Sequence, residues 1–466
     1  MIWQPTIDPT HRPVYQAIVS ALATDVRAGR LRAGDRLPAQ RAIARSLGVN
    51  LTTVMRAIAE AQRRGLVSAR RGRGTYVHAG GRFSSAEADE TAVIDLTSNL
   101  PPEDWGGAHP EGQPTLAERL SSAVVELSRG DAARELLRYP ARGGSAADRH
   151  AGQAWLARRS VRVDAERVLV TGGADHALFL ALLALTKPGD TILAEDLTYP
   201  GLRAMVAMLG RRIAPVRTDT SGIDPDALRA ACRAKPVLLF CSPTIQNPTA
   251  TILPLERRKA VVAVAREVGL LMLEDDVYGA LAIDAPAPLA TLAPERVVYV
   301  TSLSKCVAPG LRVGYIATAD DALAERLGAA IRGTTWTPPT LTTAVAGRWI
   351  MDGTADLALD AVRREIETRL AFAVRALAGY RVLSYPAAPH LWLWLPQGWT
   401  RAAFVERARR NGVAVLGSDA FASTETAPEG VRVCLGAARD TAEARRAVAR
   451  LAMTLREVHH LGPAVV

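Results

Sequence analysis

Between residues 167 and 302, six short apolar runs recur at a spacing that few folds can satisfy: RVLVT, DTILAED, RRIAPVRT, PVLLFCSP, GLLMLEDD and RVVYVTS. Helical stretches separate them. Continuously apolar strands alternating with helices predict an α/β fold, with a mostly parallel sheet covered on both faces. The last hundred residues differ. They hold two long helical patterns and a strand pair, HLWLWLP and GVRVCLG, which predict a smaller α+β lobe.

The front of the chain has another character. The chain carries a net charge of +10, yet residues 1–78 hold thirteen arginines, no lysine and four acids, or 13 − 4 = +9. A basic excess confined to one small segment is the footprint of a nucleic-acid-binding module. PVYQAIVSALATDVRAG has helical apolar spacing and stops at Gly29. AQRAIARSLGV predicts a short helix closed by Gly48, and Asn50 caps a second one, TTVMRAIAEAQRRG. Two short helices across a tight turn predict a helix-turn-helix. LVSARRGRGTYV alternates, breaks at its arginine-rich centre and resumes, which predicts a hairpin wing. Residues 79–92 are polar and low in β-branched and aromatic residues, a flexible tether. The expected division is therefore a DNA-binding domain at 1–78, a linker at 79–95 and a larger domain at 96–466.

No run of about 18 apolar residues suggests a membrane span, and the N-terminus lacks the basic-then-apolar order of a secretory signal. The four cysteines show no CxxC spacing, so free buried thiols and a cytoplasmic protein are expected, with no metal.

Lysine is scarce. Of the four in the chain, Lys187 and Lys235 precede prolines and Lys259 sits in a charged helical run. Lys305 alone follows an apolar strand and lies among small hydroxyl residues, in YVTSLSKCVAPGLRVGY. A lysine amine can form a Schiff base with an aldehyde cofactor. The hydroxyls of Ser302 and Ser304 and the guanidinium fork of Arg312 suit that cofactor's phosphate.

SLSK followed by APGLRVGY resembles the lysine segment of fold-type I aminotransferases, which bind pyridoxal 5'-phosphate (PLP). The resemblance implies that Lys305 holds PLP covalently and that Ser302 and Arg312 bind its phosphate. Further motifs follow in the family's order. The TGGADHAL turn implies phosphate contacts from the main chain of Gly173, Ala174 and Asp175, as suits amides at a helix N-terminus. Tyr199 in EDLTYPG implies a ring stacked on the cofactor. Asn247 in IQNPTA implies a donor to the ring oxygen, with Ala250 in place of the usual glycine. In LEDDVYG, the spacing of acid, two residues and tyrosine selects Asp275 over Asp276 to face the ring nitrogen, where a carboxylate keeps the ring an electron sink. Tyr278 is expected at the ring oxygen. Tyr139 matches a tyrosine that reaches the partner's phosphate across a dimer, and Arg432 matches an arginine that grips an effector or substrate carboxylate.

Residues 11–78 resemble the winged helix-turn-helix of the GntR family of bacterial transcription factors, through LPAQRAIARSLGVN, TTVMRAI and RGLVSARRGRGTYV. The resemblance implies groove-facing roles for Arg41, Thr52, Thr53 and Arg56, and a wing tip of Arg71, Gly72 and Arg73. Leu51 stands where an arginine often begins the recognition helix, which leaves apolar contact with a thymine methyl as the alternative.

The two resemblances on one chain are those of the MocR/GabR subfamily. They imply a PLP-dependent transcriptional regulator that binds a double-stranded DNA operator as a head-to-tail homodimer and senses an amino acid, an amine or PLP itself. The rival expectation is a working aminotransferase that carries an autoregulatory DNA module.

Overall fold

The computed structural model describes residues 3, 14–27, 30–31, 34–63, 66–70, 74–77, 93–102, 113–141 and 143–457. The chain divides into two compact units, Met1–Ala92 and Val93–Val466.

In the first unit, three helices and a hairpin appear where the periodicities predict them: α1 (Val14–Arg27), α2 (Gln40–Leu47), α3 (Leu51–Arg63), β1 (Val67–Arg70) and β2 (Gly74–Val77). Gly48 ends α2 in the left-handed region, at φ 64°, and its N–H returns to the carbonyls of Ala44 and Arg45. The Thr52 N–H bonds to Asn50 Oδ1 at 3.1 Å and starts α3. On α3, Val54, Ala57, Ile58 and Ala61 follow the helical period and are all buried, against Ile18 and Leu22 of α1, Ile43 of α2 and Val67 and Val77 of the hairpin. Burial of each large aliphatic contributes about 1.5–3 kcal/mol. β1 and β2 pair antiparallel, Val67 opposite Val77 and Arg70 opposite Gly74. The hairpin is extended by the turn before α2, where Leu37 N–H bonds to Thr75 O at 2.8 Å and Val77 N–H to Asp35 O at 2.8 Å. The wing tip, Arg71, Gly72 and Arg73, lies outside the described residues, as does 79–92 of the linker.

The second unit begins within what the sequence assigns to the linker. Ile94–Asp95 is a strand paired parallel to Val413–Ala414, and Ile94 is buried against the small lobe. Its alternation of one buried and one exposed residue is too short to read as a strand before its partner is known.

Among the described residues the main sheet has seven strands, in the order Val168–Thr171, Gly314–Thr318, Val297–Ser302, Leu271–Asp275, Leu238–Cys241, Thr191–Glu195, Arg212–Val216. Gly314–Thr318 runs antiparallel to both neighbours and the other pairings are parallel. Leu238–Cys241, Val297–Ser302 and Gly314–Thr318 are buried along their whole length, and Leu271–Asp275 at all but its first residue, as a sheet covered on both faces requires. The smaller lobe carries an antiparallel sheet, Val382–Leu383, His390–Trp394, Gly430–Cys434 and Leu416–Gly417. The helices Thr354–Ala376, Arg401–Arg410 and Thr441–Arg456 cover it. No helix of the described residues is long and apolar enough to cross a membrane.

Candidate functional site

Parallel strands deliver their following residues to one edge of the sheet, where ligands bind in open α/β folds. Asp275 ends one strand and Ser302 another, Gly173 follows Thr171, Tyr199 follows Glu195, and Asn247 follows Cys241.

The Lys305 amine donates to the Asn99 carbonyl at 2.7 Å. Burial holds its pKa below the ordinary lysine value, and the nearby Asp175 opposes that shift. Asp275 is 7% exposed, and its Oδ1 is buried with no hydrogen-bond partner. Burial pushes its carboxyl up to about 7, helped by the negative charges of Asp175 and Asp276. Asp276, next in the chain, is committed elsewhere. Its Oδ2 takes Arg159 Nε at 3.2 Å and the Tyr299 hydroxyl at 2.6 Å. Each acid keeps one buried oxygen without a partner, but Asp276 is already paired with a cation through its other oxygen, while Asp275 has no such pair.

At the helix Ala174–Leu185, Gly173 is the N-cap with φ 93°. A Cβ there would stand 3.1 Å from Arg312 Nη2, and one on Gly314 would stand 2.7 Å from the Gly173 carbonyl carbon. The two backbones and the guanidinium therefore form a cradle that side chains would fill. Arg312 Nη2 lies 3.5 Å from Asp175 Oδ2, and the Tyr199 hydroxyl donates to Asp175 Oδ1 at 2.8 Å. Ser304 Oγ is buried without a partner, while Ser302 Oγ accepts the Ser304 N–H at 3.4 Å. Aligned amides, a cation and an unpaired hydroxyl suit an oxyanion such as phosphate.

Arg432 is 5% exposed. Its Nη1 donates to Asn247 Oδ1 and its Nη2 to the Thr97 carbonyl, each at 2.6 Å, and its guanidinium lies 4.7 Å over the Phe421 ring. Its Nε is buried and unpaired, and no ion pair to it occurs among the described residues. A buried guanidinium bonded only to neutral oxygens is a strong site for an incoming carboxylate. With the Asn247 oxygen taken by Arg432, the amide N–H is the group left to face a cofactor.

Two residues here were not singled out from the sequence. Asn99 uses both amide hydrogens, donating to the Tyr278 hydroxyl at 2.9 Å and to His390 Nδ1 at 2.8 Å. His390 Nε2 stands 3.0 Å from the Gln246 carbonyl, which requires the tautomer protonated at Nε2. Burial, then Arg432, drives the His390 pKa down to about 3, so the ring is neutral. The only hints were a polar residue in TSNLPP and a histidine opening an apolar strand. Tyr139 is not brought to this set within one chain. It is 80% exposed and packs edge-on against Trp336, centroids 5.8 Å apart.

In the first unit, Arg41 and Thr52 are exposed and Thr53 is half-buried. A groove is lined by Arg36, Gln40, Arg41, Leu51, Gly74 and Thr75. Arg56 is exposed, with its guanidinium 4.3 Å over the Tyr15 ring of α1.

Comparison with known proteins separates the same two parts. Residues 91–451 match aminotransferase class I and II, and residues 14–77 match bacterial regulatory proteins of the gntR family. The chain is 29% identical over 448 residues to the uncharacterized HTH-type transcriptional regulator YdeF of Bacillus subtilis, covering 95% of this chain and 94% of that protein. It is 31% identical over 323 residues to the HTH-type transcriptional regulator TauR of Rhodobacter capsulatus, covering 62% and 64%. The crystal structure of LysN, the alpha-aminoadipate aminotransferase of Thermus thermophilus complexed with N-(5'-phosphopyridoxyl)-L-leucine, superposes with a TM-score of 0.70 at 25% identity, over 79% of this chain and 94% of that one.

Proposed function

We propose, for a chain that belongs to the class I and II aminotransferase family and opens with a GntR-type DNA-binding domain, a PLP-dependent transcriptional regulator. Its first unit binds an operator, and its second senses an amino acid, an amine or vitamin B6 itself. The domain order is that of the MocR/GabR subfamily, and the reader of a bacterial operator works in the cytoplasm.

The residues fit PLP. Lys305 offers an amine whose neutral form burial favours. The free Asp275 oxygen suits a protonated ring nitrogen. Gly173, Ala174, Arg312 and Ser304 form the phosphate cradle, with Ser302 beneath it. Tyr199 would stack on the ring, and Asn247 and Tyr278 would supply groups for its oxygen. When bound, PLP supplies an electrophilic carbon and an electron-accepting ring. Arg432 then orients a ligand carboxylate, while Asp175 holds Tyr199 and Arg312 in place. Tyr139, exposed beside Leu137 at 89% and Trp336 at 53%, supports a head-to-tail homodimer in which it reaches the partner's phosphate.

One observation carries the regulatory reading over the enzymatic one. Both ligand-handling side chains bond to the stretch that leads in from the linker: Lys305 to the Asn99 carbonyl and Arg432 to the Thr97 carbonyl. A ligand that engages either side chain competes for bonds that hold the chain just after the tether to the reader.

The test compares operator affinity with steady-state transamination across a panel of amino acids and amines. At least one ligand is expected to shift DNA binding by 5- to 150-fold, the range of about 1–3 kcal/mol of coupling. Turnover is expected to stay below about 1 s⁻¹, the low end of enzyme rates. Ordinary turnover with no ligand effect on DNA binding would make the protein an aminotransferase instead.

A further inference from the structure

The exposed face of α3 presents methyl groups where a base-reading arginine is expected. Arg56 lies over the Tyr15 ring, and the Thr52 hydroxyl is turned back to Asn50 Oδ1 at 3.0 Å. Their polar ends are thus held by the reader itself. Besides Arg56, the exposed side chains of the first two turns are Thr52 and Met55, with Leu51 half-buried beside them. Leu51 is half-buried and lines the groove with Arg36 and Arg41. Met55 is 52% exposed, the one large apolar side chain left exposed among the described reader residues. Leu51 and Met55 stand four residues apart, so they share one face of the helix.

We infer that α3 selects its operator by packing Leu51 and Met55 against thymine 5-methyl groups in the major groove, with arginines supplying the grip on phosphate. This rests on the first unit being a DNA reader. The thymine methyl is the one apolar feature on the base edges of that groove. Leucine and methionine cannot bond guanine O6 or cytosine N4, so a G·C pair at these positions leaves polar groups unpaired. Arg36 and Arg41 line the groove with Leu51 and suit the phosphates that flank a major groove. A cationic frame with net charge +9 over 1–78 complements a polyanion.

The test uses the full-length protein and a duplex operator selected by it from a random pool. Each thymine is then replaced singly by deoxyuridine, which removes the methyl and keeps the pairing. One or more positions in each half-site are expected to lose about four-fold in affinity, the equivalent of one buried methyl group. Met55→Ala is expected to abolish the uracil penalty at its own position, and Leu51→Ala at another. Both variants should keep salt-dependent binding to random DNA, which shows that they fold. A tight operator indifferent to uracil, or a penalty that survives both substitutions, overturns the inference and leaves the DNA-reader assignment standing. Failure to select any operator overturns both.

Discussion

The most direct perturbation of the cofactor site is Asp275→Asn, because it should act in opposite directions on stability and on binding. In the protein without PLP, Asp275 is a buried acid whose Oδ1 has no partner. Burial raises its pKa from the ordinary 3.8 to about 7. In the unfolded chain it releases its proton near 4, while in the folded state it keeps it until about 7. The folded state therefore binds more protons between those values, and stability falls as pH rises through that window. Three pH units at about 1.4 kcal/mol each set an upper bound of roughly 4 kcal/mol. Asparagine does not titrate. The variant should match the parent near pH 4, gain on it through pH 7 and hold a constant lead above pH 8. Urea unfolding of the PLP-free proteins across that range measures the lead, with roughly 2–4 kcal/mol expected after local relaxation. PLP titration measures the opposite effect: asparagine cannot hold a ring nitrogen protonated, so affinity should fall at least ten-fold. A lead independent of pH, or unchanged PLP affinity, would refute the assignment of Asp275.

Lys305→Ala should still bind PLP through the cradle, but borohydride should no longer fix the cofactor to the chain, as peptide mass analysis would reveal. His390→Gln should flatten the acid limb of stability: the wild-type ring stays neutral down to about 3 while the unfolded chain gains a proton near 6.5, so the parent alone loses stability as pH falls through that interval, read by unfolding at pH 4 and pH 7. Operator affinity of the full chain should fall linearly on a log–log plot against salt, with a slope of about −0.9 per phosphate neutralised; a flat response would contradict arginine contacts to the backbone. Mixed dimers of Tyr139→Phe and Lys305→Ala chains should hold one site with both lesions and one intact, whereas two equally damaged sites would argue against a shared site.

The sheet was legible because burial on both faces writes strands as unbroken apolar runs. The residues proposed for the cofactor could be singled out because their motifs are local: most lie within a few positions of a strand end. What escaped detection is long-range. Asn99 and His390 are separated by 291 residues and meet only through the fold, so no periodicity or motif links them. The strand at Ile94–Asp95 escaped for the same reason, since its partner lies at Val413–Ala414. Cys306, beside Lys305, is one of the expected buried thiols: burial pushes it up to about 12, as suits a core filler. The choice of Asp275 over Asp276 came from motif spacing, and Arg159 and Tyr299, which occupy Asp276, were invisible to it.

The same long-range contacts explain how a catalytic fold can serve a regulator. A hydrogen bond from a charged donor contributes about 1.5–3 kcal/mol; the stretch from Thr97 to Asn99 receives one from the Arg432 guanidinium and a second bond from the Lys305 amine. Asn99 adds two more through its amide. Upstream, backbone bonds from Ile94 and Leu96 to Gly412 and Ala414 fasten the stretch to the small lobe. Under the proposed function, a carboxylate on Arg432 and a cofactor on Lys305 would compete for both bonds at once. Even partial loss of that pair supplies the 1–3 kcal/mol that allosteric coupling typically requires. The stretch continues directly into the polar tether and the reader, so such a release needs no completed reaction. Binding alone moves the equilibrium, provided the ligand prefers the released state.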